Sequence, residues 1–150
     1  MIILGLIISL NWFSSDQLAE LRNQYMAAAI NAEQMGKFNT SCNSVEMELT
    51  TSKGYCTMRH FLNAKNIINP YRKLNEFNEG KKKLDSLISI DHKNIELRYM
   101  RHSIQDRVPG FLGYNEHLID DEHFMSVNLE TITDSASYQL IYNYLKSLNK

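Results

Sequence analysis

Apolar residues recur at three- and four-residue intervals along most of the chain, and that spacing predicts helices rather than strands. Ser14-Ser15-Asp16-Gln17 reads as a helix start, with Ser14 and Gln17 at capping-box spacing. Leu18, Leu21, Tyr25, Ala28, Ala29 and Ala32 then follow as one buried stripe. A second helical stretch runs toward Cys42 after Gly36. Breaks are expected within 39–52, where Asn, Ser and Thr side chains compete for backbone hydrogen bonds.

A third helix spans 52–66, with Tyr55, Met58, Phe61 and Leu62 on one side, and Asn69-Pro70 ends it. Pro70 suits the first turn of the next helix, where its missing N–H costs nothing. That helix extends to about Ile90 along Leu74, Phe77, Leu84, Leu87 and Ile88. Asn94 caps a helix carrying Leu97, Met100, Ile104 and Val108. A loop follows between Pro109 and Tyr114. Asn115 is expected to cap a helix with Leu118, Met125 and Leu129, and Asp134 a last one with Tyr138, Ile141 and Leu145. No alternating β-branched run bounded by a hairpin turn occurs. The fold class is therefore all-α: antiparallel helical hairpins or an irregular bundle, in a single domain over 14–150.

Residues 1–13 stand apart. Met1–Leu10 is apolar and uncharged, too short to cross a bilayer as a helix but of the length of a secretory signal core. Neither a basic residue before it nor a clean small-x-small site after it completes such a signal. The segment reads as a signal, placing the protein in the periplasm or outside the cell, or else as the first apolar element of a cytoplasmic protein. Cys42 lies too far along to be a lipoprotein anchor. Cys42 and Cys56 either pair in an oxidising compartment or pack as buried thiols.

Charge narrows the function classes. Sixteen Lys and Arg against 17 Asp and Glu leave a formal net charge of −1, which argues against nucleic-acid or anionic-membrane binding through bulk charge. Tyr71-Arg72-Lys73 and Lys81-Lys82-Lys83 give the fourth helix a basic side. Glu76, Glu79 and Asp85 interleave with it, as on a solvated face. With 43% hydrophobic residues and 22% charged, the chain can build a core, so wholesale disorder is excluded.

Two resemblances add to this. Gly80, Leu84, Leu87, Asp91 and Asn94 resemble the second half of a tetratricopeptide repeat, with His92 where its closing turn favours proline. The pieces NPYRKLNEFNEGKKKL (69–84), IELRYMRHSIQ (95–105), PGFLGY (109–114) and IDDEHF (119–124) resemble a family of uncharacterised bacterial proteins, found mostly in Bacteroidetes. That resemblance implies a small exported helical protein, and it carries no catalytic residues to transfer.

Candidate chemistry concentrates between residues 98 and 123. Glu122 falls on the apolar stripe of its helix, where an unpaired carboxylate would be costly, so either the helix is irregular or Glu122 or Asp121 meets a cation or backbone donors. Arg98 and Arg101 are the obvious cations. In one reading Arg98, Arg101 and Gln105 tie the 109–114 loop to the following helix. In the other they form, with Asp121, a pocket for an anionic or peptide ligand floored by Phe111 and Tyr114. Glu116, Asp120 and His123, at i, i+4 and i+7 on a helix, are weak metal candidates, set against a solvated face. No HExxH, CxxC pair, nucleophile elbow or phosphate loop occurs, so neither a cofactor nor an enzymatic activity is expected. The leading expectation is a non-enzymatic module engaging a protein or peptide partner. A small-ligand or metal-binding protein and a structural part of an envelope assembly are the competitors.

Overall fold

The computed structural model describes the backbone of residues 2–44 and 49–149, and side chains of 16–43 and 49–149. Within these residues the chain is all-α, with no strand. Seven α-helices occur in order: α1 (Ile2–Ile30), α2 (Met35–Ser44), α3 (Thr50–Asn66), α4 (Pro70–Ile90), α5 (Ile95–Gln105), α6 (Leu118–Asn128) and α7 (Ser135–Leu148). None is long and apolar enough to cross a membrane, among the described residues.

Local chemistry sets the starts of α4, α5 and α7. Pro70 opens α4. Asn94 accepts from the N–H of Leu97 at 3.1 Å, and Asp134 from that of Ser137 at 3.0 Å, each satisfying a first-turn donor. Four expectations are corrected. Helix α1 already runs through Ser14, so the capping box there does not start a helix. Residues 39–44 are helical within α2 rather than a break, and Thr40 bonds back to the Gly36 carbonyl at 3.0 Å. Helix α5 stops at Gln105 instead of continuing to Val108, and α6 starts after His117 rather than Asn115. Of the remainder of the expected break, residues 45–48 lie outside the described residues, Leu49 is non-helical and 50–52 already belong to α3.

Contacts group the chain into two compact units, residues 1–81 and 82–150, where the sequence suggests one domain over 14–150. In the first, α1 packs on α3 and α2. Leu21, Tyr25 and Ala28 meet a core that includes Phe38, Tyr55 and Met58. The Tyr25 ring lies 6.1 Å from Phe38 and 5.6 Å from Tyr55, tilted against both, a favoured aromatic arrangement. A disulfide between Cys42 and Cys56 joins α2 to α3, resolving the open alternative toward pairing. Phe77 of α4 meets Phe61 edge-on at 5.4 Å. Gly80 is required there: a Cβ would sit 2.9 Å from His60 Cβ, closer than two carbons approach.

In the second unit α5 packs chiefly on α6, with α7 against both. Leu84, Leu97, Met100, Met125 and Ile141 are fully buried. Most of α5 is enclosed, including polar Glu96, Arg101, His102, Ser103 and Gln105. Burying so many polar groups on one short helix requires partners for them. Those partners form the candidate site.

Candidate functional site

The inward stripe of α6 runs through Asp121 and Met125, one turn apart, and leaves Glu122 half-exposed. Asp121 is therefore the buried carboxylate, at 0% exposure. Arg101 grips it with two parallel bonds: Nε donates to Oδ2 at 2.7 Å and an Nη to Oδ1 at 2.8 Å. This fork geometry fits the planar guanidinium to both carboxylate oxygens. The other Arg101 Nη reaches Asp85 Oδ1 on α4 at 3.3 Å. One turn earlier on α5, Arg98 donates to Asp121 Oδ1 at 2.9 Å and to the His92 carbonyl at 3.2 Å. Its guanidinium carbon also stands 5.0 Å from the centre of the Phe124 ring.

Two cations thus face two carboxylates, and the 109–117 segment is fastened to the same cluster. The Tyr114 hydroxyl, buried, donates to Asp85 Oδ1 at 3.1 Å. Gln105 Oε1 accepts the His117 N–H at 3.2 Å, so a side chain from α5 satisfies a backbone donor just before α6. Gly113 turns the chain with φ +60°, a conformation that suits glycine. Burial alone would lower the Arg101 pKa. The hydrogen bonds and charges of Asp121 and Asp85 outweigh it and raise that pKa above the ordinary guanidinium value. Burial, reinforced by the Asp85 charge, pushes the Tyr114 hydroxyl pKa well up, which keeps it protonated and able to donate to Asp85.

The structure brings Arg98, Arg101, Gln105, Tyr114 and Asp121 together and leaves Phe111 out. Phe111 is 87% exposed and cannot floor a pocket beside Tyr114, because the Gly110–Leu112 turn directs it away while Tyr114 turns inward. The metal proposal for Glu116, Asp120 and His123 is likewise corrected. Glu116 precedes α6, so the helical i, i+4, i+7 register does not hold, and all three are exposed. No group of three or more metal-ligating side chains occurs among the described residues.

Asp85 is the member that sequence reasoning missed. It reads as one acid among the lysines of a solvated face, yet it adjoins Leu84 on the buried stripe of α4. That adjacency was the available signal. Two further buried polar contacts have no motif behind them. His102 Nδ1 is hydrogen-bonded to Tyr144 Oη at 2.7 Å. Ser137 Oγ bonds Glu96 on α5 and, at 2.6 Å, Asp134.

Chemically, most of the cluster's donors are spent within the protein, while the buried Arg98 Nε and Gln105 Nε2 have no hydrogen-bond partner. The Arg101 fork is occupied by Asp121 and Asp85, Arg98 is divided between Asp121 and the His92 carbonyl, and the Tyr114 hydroxyl donates to Asp85. An anionic ligand would have to displace Asp121 from two cations at once. What the arrangement does accomplish is to fix a loop and the start of α6 against α4 and α5. Compared with known proteins, the chain matches no family model, no curated protein and no solved structure.

Proposed function

We propose that this protein is a non-enzymatic helical module that engages a protein partner through the segment 109–124. The observation that carries the reading is the contrast within that segment. Tyr114 and Asp121 are fully buried in the ion cluster, while Phe111 and Ile119, three and two residues before them, are 87% and 84% exposed. Large apolar side chains held on a fixed backbone lose little entropy on binding, the property that makes anchors of an interface. Loose loops would forfeit that advantage. The tetratricopeptide-like hairpin suggested by Gly80 to Asn94 is consistent with such a role, as fold analogy.

Export belongs to the same reading. The Cys42–Cys56 disulfide supports an oxidising compartment, the periplasm or the exterior, because cytosolic thiols are kept reduced. The apolar start of the chain is compatible with that address.

A photo-crosslinking residue placed at Phe111 in the native cell tests the binding role, with one at exposed Lys93 as control. A discrete protein adduct from position 111 and none from position 93 is expected. Adducts of equal yield at both positions, or at neither, would remove the proposal. Thiol labelling of the same cells, with and without prior reduction, tests the compartment: labelling only after reduction is expected.

A further inference from the structure

We infer that the partner seated on the 109–124 face is a second copy of this chain, through the first turn of its α4; the inference rests on the binding role proposed above. The two surfaces are complementary in both apolar and charged character. On one side, Gly110–Phe124 holds Glu116, Asp120, Asp121 and Glu122 and no Lys or Arg. Asp121 is already neutralised by Arg98 and Arg101. Exposed Asp120 adjoins exposed Ile119 in the chain, and Glu122 stands 4.0 Å from His102. On the other side, 68–74 reads INPYRKL, with Arg72 and Lys73 and no acid. Ile68 is 97% exposed and Tyr71 84%, and Leu74 one turn on is also exposed.

Each surface thus offers two or three uncovered large side chains beside charges of one sign, and the signs are opposite. Exposed apolar groups rimmed by charge mark association sites. Opposite rims steer the encounter and fix its register more than they add affinity. Because the two surfaces differ, the contact is head-to-tail, and it closes into a ring or extends by further copies.

Sedimentation of the full chain, with its disulfide intact, tests this across protein concentration at low and high salt. The expected mass exceeds one chain at low salt and falls toward it near 1 M, where the screening length shrinks to about 3 Å. Phe111→Ser and Tyr71→Ser, both at exposed positions, should each weaken association at least about tenfold. Asp120→Lys and Lys73→Glu should each weaken it as well, and mixing those two variants should restore it. A single-chain mass under all conditions overturns the inference, as does association untouched by Phe111→Ser.

Binding of a synthetic Leu/Lys amphipathic peptide, measured on the wild type and on Phe111→Ser, separates the two proposals. A single-chain protein that binds the peptide through Phe111 keeps the binding role and loses the second copy in favour of a different basic protein. One that neither associates nor binds it counts against both.

Discussion

The two units of this protein solve the same problem, holding amphipathic helices together, with different ties. In residues 1–81 the ties include an aromatic core around Tyr25, Phe38 and Tyr55, a covalent link from α2 to α3, and the contact of His60 with Glu76 at 2.8 Å. In residues 82–150, which contain no cysteine, they include an ion cluster in which Asp121 of α6 is wholly buried and held by Arg98 and Arg101 of α5. The aromatic core and disulfide of the first are indifferent to charge, and the disulfide is sensitive to reductant. The second is indifferent to reductant and depends on every charge keeping its partner. A buried ion pair is not by itself a strong stabiliser, because desolvation offsets much of the attraction. Its value here lies in geometry: it forces 109–117 and α6 into one arrangement.

Removing Asp121 should break the contrast most severely. Asp121→Ala leaves two guanidinium groups facing each other with their shared carboxylate gone, and a loss of about 3–5 kcal/mol is expected in chemical denaturation. Hydrogen exchange should show the lost protection in α5 and α6 rather than in α1 and α3. A loss below about 1 kcal/mol would mean that the cluster does not hold the unit.

The covalent tie comes next. Replacing Cys42 and Cys56 together by Ser should cost about 3 kcal/mol, the value expected when a loop of about 15 residues is released. The accelerated exchange should then fall in α2 and α3. Reductant should reproduce it in the parent and do nothing further to the double variant.

A smaller, pH-dependent effect distinguishes the units in another way. Burial lowers the His102 pKa, against the pull of Asp106, Glu122 and Asp121, which favour the charged ring. The unfolded chain therefore takes up a proton that the folded one resists. Stability contributed by neutral His102 is complete above an unfolded pKa of about 6.5 and is lost as pH falls through the lower folded value. Thermal melts between pH 7 and 5 should show the decline, and His102→Gln should flatten it. Weakest of all in stability, Phe111→Ser should change the unfolding free energy by less than about 0.5 kcal/mol, since its ring contributes little to the core. A larger loss would make Phe111 a packing residue and remove the reason for assigning it to a partner.

Several elements were legible because the chemistry that makes them is local. Asn94 and Asp134 cap their helices by bonding a backbone N–H three residues on, and Pro70 begins α4 through its own ring. The need for a cation near Asp121 or Glu122 followed from helical periodicity alone, and so did the choice of Arg98 and Arg101. The errors came where local signals competed. Ser14 has a capping side chain, but a backbone already helical on both sides makes its own bonds and has no orphan donor there to cap. Asn115 looks like a cap, yet Gln105, ten residues earlier, reaches across to the His117 N–H and α6 begins there.

Sequence by itself determined that this chain is helical and that its helices are amphipathic, and it pointed to Glu122 or Asp121 as a carboxylate in need of a partner, because period and local hydrogen bonding are properties of neighbouring residues. Only the tertiary structure decided which carboxylate is trapped, that Asp85 joins it, that Phe111 faces outward and that Cys42 meets Cys56. Those outcomes depend on distances between side chains many residues apart, and helix periodicity fixes the face a residue occupies without fixing what stands opposite.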